Sequence, residues 1–555
     1  MNKFMTALVE SSRYGERGLI AGDPDRLTKT TWDEIHQQAR RIAGGLHQAG
    51  VRHGDAVAVL AGAPRDIAPL VQGIWLAGAS VTMLHQPTPR TDLASWLGDT
   101  QRALEVIEAR AVVVGTPFEA TLSAFGGWPI QRLTVEQLFA DDAADPVPTA
   151  DDDVAFLQFT SGSTGAPKAV AITYRNMYDN IRGMEFASRI RLKHDVMISW
   201  LPLFHDMGMM GFLIGPMLLG AEVVSVTPMD FLNDPLLWAE LVTKYRGTMS
   251  AAPNFAYALL AKRLARADDG AYDLSLLRFV LSGAEPIDVA VVEKFLRAGE
   301  RFGLTPDAIV PAYGMAEATL AVSFLRPGEK FKVDYVDPTS LQILKRASVS
   351  RAEDAQRFMR LGRLLPGFEA MILTDRGDIG TYRDVGEIHV RGDSVATRYR
   401  TDAGYIDATD EGGWLATGDL GYMTEDAQLV VCGRRKDMLI ISGRNIYPVD
   451  IERAAARVDG VRAGNIAAVR MPTDGSGEGF AVVLESIASG DASECIRIER
   501  EVASRIFQEM GISPRRVEVV GVGRIPKTPS GKLRRLEAQR LICSRTSPVE
   551  QPQSA

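Results

Sequence analysis

Apolar and polar positions along the chain follow two periods in turn. Short, mostly apolar runs occur at Ala56–Leu60, Ala79–Leu84, Val154–Phe159 and Phe279–Leu281, a length and character that suit buried strands. Between them, Leu27–Gly50, Ala68–Leu76, Leu236–Tyr245, Phe255–Arg266 and Val289–Ala298 repeat apolar residues at helical spacing. This alternation predicts an α/β architecture of mostly parallel sheets flanked by helices. The most apolar stretch, Met207–Val226, is interrupted by Gly208, Gly211, Gly215, Pro216, Gly220 and Glu222. It predicts a buried helix followed by a strand, not a membrane span. No short repeat is visible.

Two places read as connections. Residues 141–153 are acidic and carry proline, and they lead into a Ser/Gly/Thr cluster. After Val430 the pattern gives way to the charged run Gly433-Arg434-Arg435-Lys436-Asp437, then to a new apolar strand, Met438–Ile441. We therefore expect a large N-terminal domain, residues 1–436, and a small α+β C-terminal domain, residues 437–555, compact to about Ile542 with a disordered tail from about Ser544. At 555 residues the chain is too long for one core.

Composition narrows the function classes. With 46% hydrophobic and 24% charged residues the chain resembles ordinary globular proteins, and a net charge of −8 argues against general nucleic-acid binding. One segment runs the other way: Arg524, Lys527, Lys532, Arg534 and Arg535 form a basic strip. Cys432, Cys495 and Cys543 are too far apart for a metal knuckle and too few for a disulfide scaffold, which fits a reducing compartment. Met1–Gly18 has scattered charges and no long apolar stretch, so no signal peptide is expected. The default is a cytoplasmic enzyme with no integral membrane association.

The chemistry concentrates after Val154–Phe159. Thr160, Ser161, Gly162, Ser163, Thr164 and Gly165 cannot pack a core, but their N–H and hydroxyl groups can converge on one point, and Lys168 adds a full positive charge. Such a nest suits a polyphosphate; a solvated turn is the plain alternative. The P-loop pattern is rejected, because Ala166 and Pro167 separate the second glycine from Lys168 and no hydroxyl follows that lysine.

The order T-S-G-S-T-G-x-P-K resembles the phosphate loop of the adenylate-forming superfamily, which includes acyl-CoA synthetases, fatty acyl-AMP ligases, luciferases and peptide-synthetase adenylation domains. Five further segments resemble the family's motifs, in its order. Trp200–Gly208 resembles the segment whose histidine, here His205, borders the reacting carboxylate. Ser282-Gly283-Ala284-Glu285-Pro286 follows a strand and, by the resemblance, lies along the adenine. Ala312-Tyr313-Gly314-Met315-Ala316-Glu317 resembles Y-G-x-T-E, with Ala316 in place of threonine; Tyr313 offers a flat face for adenine and Glu317 an oxygen ligand for Mg²⁺. Trp414–Asp419 matches T-G-D, which implies that Asp419 binds the ribose hydroxyls. Gly433–Asp437 matches the hinge motif, with Arg434 reaching the ribose and Lys436 at the pivot. Ile525–Lys532 matches P-K-T-x-x-G-K, whose final lysine, Lys532, is implied to catalyse adenylation by standing between two anions, the substrate carboxylate and the α-phosphate.

The resemblance thus implies a two-domain adenylate-forming fold that converts a fatty acid and Mg·ATP to acyl-AMP and pyrophosphate, with a C-terminal domain that swings about the hinge. Trp200-Leu201-Pro202-Leu203-Phe204-His205-Asp206-Met207-Gly208 and Ile441–Glu452 are more similar to fatty acyl-AMP ligases than to CoA ligases. The chain is also long between Glu317 and Gly362–Gly367, where the ligase branch carries an insertion that restrains domain movement and disfavours CoA. The helix-like, charged character of Arg351–Arg360 departs from that pattern. An acyl carrier protein is the acceptor this branch implies, with the basic strip as its docking surface. Met207, Met209, Met210, Phe231, Phe255 and Tyr257 lie in segments that border the acyl pocket of relatives. An acyl-CoA synthetase, or an inactive nucleotide-binding relative, are the rival readings.

Overall fold

The short apolar runs become inner strands, where both faces of a sheet are covered and no polar side is needed. The computed structural model describes the chain except residues 14, 88–90, 141–142, 161–166, 442–443, 472–478, 528–532 and 545–555, and the side chains of residues 122, 543 and 544. Among the described residues one sheet has nine strands, and at its middle Val196–Ser199, Met249–Ala252, Phe279–Ser282 and Ile309–Gly314 lie side by side and parallel. A second sheet has eight strands, Ala56–Leu60, Ser80–Met83 and Val154–Phe159 among them.

Helices cover these sheets where the helical patterns fall. The stretch expected to be helical from Leu27 starts later: Thr28–Thr31 pairs as a strand with Gly18–Ala21. Thr31 then caps the helix Trp32–Gln48 in a capping box with Glu34. Met207–Ile214 is helical with i→i+5 turns, Gly215–Leu219 continues it, and the strand Glu222–Ser225 follows. Among the described residues no helix is long and apolar enough to cross a membrane.

Beyond residue 438 the chain builds its own core. Ile466–Met471, Gly479–Glu485 and Arg516–Val520 form a three-stranded sheet, accompanied by the helices Pro448–Ala455, Ala492–Met510 and Arg535–Ser544. Two hydrophobic clusters, one around Phe480 and Ile498 and one around Val483 and Ala538, draw only on residues of this part. A further cluster spans the expected junction, joining Tyr422, Val430 and Cys432 to Tyr447. The expected disordered tail falls outside the described residues from residue 545 onward.

The segment Arg351–Arg360 corrects its sequence reading. It contains no helix: Gln356–Met359 is a strand paired antiparallel with Val333–Val336. Phe358 is drawn into the cluster with Tyr422 and Cys432. A pairing partner distant in sequence outweighs the local helical preference of charged residues.

Candidate active site

A cavity of about 410 Å³ lies at the carboxyl ends of the parallel strands, lined there by Gly283, Ala284 and Ala312–Glu317. Open α/β sheets bind ligands at this end. Thr160, Lys168, His205, Met207, Arg434 and Lys436 also line it, so segments far apart in the sequence converge on one space.

The putting together of its anionic-ligand side starts with strand pairing. Val154–Phe159 and Ala169–Thr173 run antiparallel with Phe159 opposite Ala169, and Thr160 N donates to Lys168 O at 3.5 Å. The two ends of the glycine-rich segment are thereby held together; Ser161, Gly162, Ser163, Thr164 and Gly165 themselves lie outside the described residues. Lys168 Nζ sits 3.7 Å from the centre of the Tyr399 ring, and Tyr399 donates its hydroxyl hydrogen bond to Glu317 Oε1 at 3.2 Å. One tyrosine thus spaces a cation from a carboxylate. Thr160 Oγ1 and Gln158 Oε1, on residues that line the cavity, are buried without a partner among the described residues. Buried polar atoms are normally hydrogen-bonded, and a polar ligand in the cavity accounts for this pair.

A second network holds the other polar side. Asp419 and Arg434 face each other across paired strands. Asp419 Oδ1 lies 3.1 Å from Arg434 Nε, and its Oδ2 accepts from the Tyr313 hydroxyl at 2.7 Å. Burial first, and then the Asp419 charge, push the Tyr313 hydroxyl pKa well above its ordinary value. Asp419 chiefly raises that of Arg434. Burial and then the Arg434 charge lower the Lys436 pKa. Ala284 adopts φ +66°, a left-handed conformation that costs a non-glycine residue energy and is found at ligand contacts. Glu285 turns aside: its Oε1 accepts from Phe255 N at 2.8 Å. Ser282 is buried behind the strand end.

His205 Nδ1 lies 2.5 Å from Asp206 Oδ1 and 3.3 Å from Met207 N, which fixes the ring at the cavity wall. Beside it, His85 stands edge-on to Phe204, with ring centres 5.6 Å apart. Burial, then the charges of Arg534 and His205, push the His85 pKa down to about 4. Burial lowers the Lys527 pKa, against the opposing charges of Glu485 and Glu285. Lys527 and Arg534 flank the segment that holds Lys532, so both flanks stand within electrostatic reach of the cavity rim. Lys532 itself is outside the described residues. Two residues of the basic strip are engaged within the molecule: Lys527 Nζ donates to Gly464 O and Asn465 Oδ1, and Arg535 pairs with Glu452 and Asp437.

The cavity also has an apolar arm, and its lining differs from the residues expected. Met207 lines it with Met184, Met197, Phe212, Met249 and Phe279. Met209, Met210, Phe231, Phe255 and Tyr257 do not. The i→i+5 turns carry Met209 and Met210 into the core, both fully buried. Phe231 stacks on Trp200 with ring centres 3.9 Å apart, and Tyr257 packs between Trp238 and Phe295. Phe255 is 36% exposed. Sequence reading also missed Tyr399, His85 and Glu387. No local motif marks Tyr399; pairing of its strand with Ala169 and Val170 brings it to the site.

Known proteins share much of this sequence and fold. The family described as "AMP-binding enzyme" matches residues 10–400. Rv1013 of Mycobacterium tuberculosis, which carries a provisional ligase designation, is 53% identical over 98% of this chain and 100% of its own length. A 4-hydroxyphenylalkanoate adenylyltransferase of Mycobacterium marinum is 32% identical, over 92% of this chain and 86% of its own. A solved structure from work on fatty acyl-adenylate ligases of E. coli and L. pneumophila superposes with a TM-score of 0.89 at 29% identity, covering 98% of this chain and 97% of that one.

Proposed function

The chain belongs to the AMP-binding enzyme family and is an adenylate-forming, acyl-activating ligase, and from that premise we propose that it converts a fatty acid and ATP to acyl-AMP and pyrophosphate, then passes the acyl group to the phosphopantetheine thiol of an acyl carrier protein. The observation that carries this reading is the continuity of one cavity, with Lys168, Glu317 and Arg434 on its polar side and Met197, Met249 and Phe279 on its apolar side. A fatty acid has that polarity, and its carboxylate would meet the nucleotide where the two sides join.

Each residue then has a task. Lys168 and the donors of residues 160–165 hold the β and γ phosphates. Tyr313 and the backbone at Gly283 and Ala284 flank the adenine, while Asp419, held by Tyr313 and Arg434, accepts from the ribose hydroxyls. His205 borders the carboxylate. Lys532 stands between carboxylate and α-phosphate, offsetting their repulsion and stabilising charge in the transition state. Among the described residues no group of three acidic, histidine or cysteine side chains forms a metal cage. The single carboxylate of Glu317 fits Mg²⁺, which commonly takes one or two carboxylates and completes its shell with phosphate oxygens and water. Bound there, the ion would neutralise phosphate charge.

Ties between the two parts of the molecule support the ligase branch over a CoA synthetase. We place the domain division at Lys436, the hinge. Arg444, beyond it, donates to Gln342, and Gln356 donates to Asp450 at 2.8 Å. Both glutamines lie in the long segment between Glu317 and Gly362, so that segment grips the part that must swing to admit a thiol. Separating the products formed from labelled fatty acids and Mg·ATP, with CoA or with a holo-acyl carrier protein, tests the assignment. Acyl-AMP that persists with CoA and is consumed by the carrier is expected; prompt conversion to acyl-CoA would make the protein a synthetase.

A further inference from the structure

The apolar arm changes character at its far end. Met197, Met249 and Phe279 stand opposite one another in neighbouring parallel strands and form one row across the sheet. Leu281 and Gly283 follow Phe279 at two-residue steps, so they share its face. At about 3.3 Å per residue, the arm runs about 13 Å down the sheet, from Gly283 beside the nucleotide side to that row.

The helix Tyr174–Ser188 forms one wall and ends level with the row. Arg278, the residue before Phe279, donates to Ser188 O and Arg189 O, each at 3.1 Å. This helix presents Ile181, Met184, Glu185 and Ser188 to the cavity, the spacing of one helical face. Its last turn therefore replaces an aliphatic wall with a carboxylate and a hydroxyl. Glu185 Oε2 pairs with Arg182 Nη1 at 2.5 Å. Ser188, 6% exposed, donates to the Glu185 carbonyl at 3.3 Å, which leaves its oxygen able to accept a hydrogen bond. Glu185 and Ile190 also line a second, polar cavity, so Glu185 is the partition between the two.

A carboxylate in this position loses water when the arm fills. A plain alkyl terminus returns nothing for that loss, whereas a hydroxyl replaces the lost hydrogen bond. Resting on the acyl-adenylating reading above, we propose that the far end of the arm selects acids carrying a hydrogen-bond donor at the ω end, a hydroxyl or phenol, with Glu185 as the acceptor and Ser188 beside it.

The test is pyrophosphate release from ATP by the full chain, with saturated fatty acids and their ω-hydroxy counterparts across a range of chain lengths. At the best length we expect kcat/KM to favour the ω-hydroxy acid about 10-fold, less than fully buried hydroxyl sites achieve because Glu185 is partly solvated. The preference should fall to about one in Glu185→Leu and persist in Glu185→Gln, whose amide oxygen still accepts. Equal or better use of the plain acids by the natural enzyme would overturn the inference and leave fatty-acid adenylation standing. So would a preference that Glu185→Leu retains. No turnover of either series at any length would remove the underlying reading as well.

Discussion

Arg444 donates from Nε and Nη2 to the same side-chain oxygen of Gln342, at 2.9 and 2.7 Å, and from Nη1 to Met510 O at 2.9 Å. The guanidinium thus joins the helix end of the C-terminal part to the segment that interrupts the main part. Gln342 is only 4% exposed, so the contact is shielded from competing water. Hydrogen bonds to a charged group are worth about 1.5–3 kcal/mol. Gln342→Ala should release the C-terminal part and raise acyl-CoA formation several-fold when CoA is supplied, measured by product separation. An unchanged product ratio would show that this contact does not restrain the swing.

Tyr313→Phe removes the hydroxyl that donates to Asp419. The ring face proposed to meet the adenine survives, but the carboxylate loses a hydrogen-bond partner. A loss of about 1–2 kcal/mol predicts an ATP KM about 5–30-fold higher, with kcat little affected. Steady-state kinetics with ATP varied checks the split; a lowered kcat at unchanged KM would count against a binding role.

Glu317→Ala should shift the Mg²⁺ titration of acyl-AMP formation several-fold to higher concentration. Tyr399 would lose its acceptor but keep its contact with Lys168, so thermal stability should change little. A titration matching that of the natural enzyme would remove Glu317 from the metal.

Asp450 supplies a pH signature. Burial raises its carboxyl pKa from the ordinary 3.8 to about 6, against the opposing pull of Arg453. Between pH 3.8 and 6 the folded form holds the proton more tightly than the unfolded chain. Its favourable contribution is therefore full below that window and is lost as pH rises through it. Asp450→Asn keeps an acceptor for Gln356 without the charge, and should stabilise the protein by about 1–3 kcal/mol at pH 7.5, with less benefit at pH 5. Thermal unfolding at the two pH values checks this. Equal shifts at both would rule out ionisation of Asp450 as the cause.

Sequence alone carried the local part of this picture. Ala56–Leu60, Val154–Phe159 and Leu236–Tyr245 have the limits expected of them, because an apolar run or a helical repeat is a property of neighbouring residues. The motif residues Tyr313, Glu317 and Arg434 also meet at one cavity. What escaped depends on contacts distant in sequence. Tyr399 reaches the site only through pairing with Val170. Within Arg351–Arg360, Gln356–Met359 becomes extended because Val333–Val336 is there to pair with it. Met209 and Phe231 were rightly read as apolar, but which apolar space they enter is set by the i→i+5 turns of Met207–Ile214 and by stacking on Trp200.

The central claim is reversible adenylation of a fatty acid. Its most direct test is fatty-acid-dependent exchange of labelled pyrophosphate into ATP, with the natural enzyme and with Lys532→Ala. The account predicts exchange that requires both the acid and Mg²⁺ and that falls about 10²-fold or more in the variant, as loss of a key electrostatic group typically causes. Exchange that needs no fatty acid, or that persists undiminished without Lys532, would contradict it.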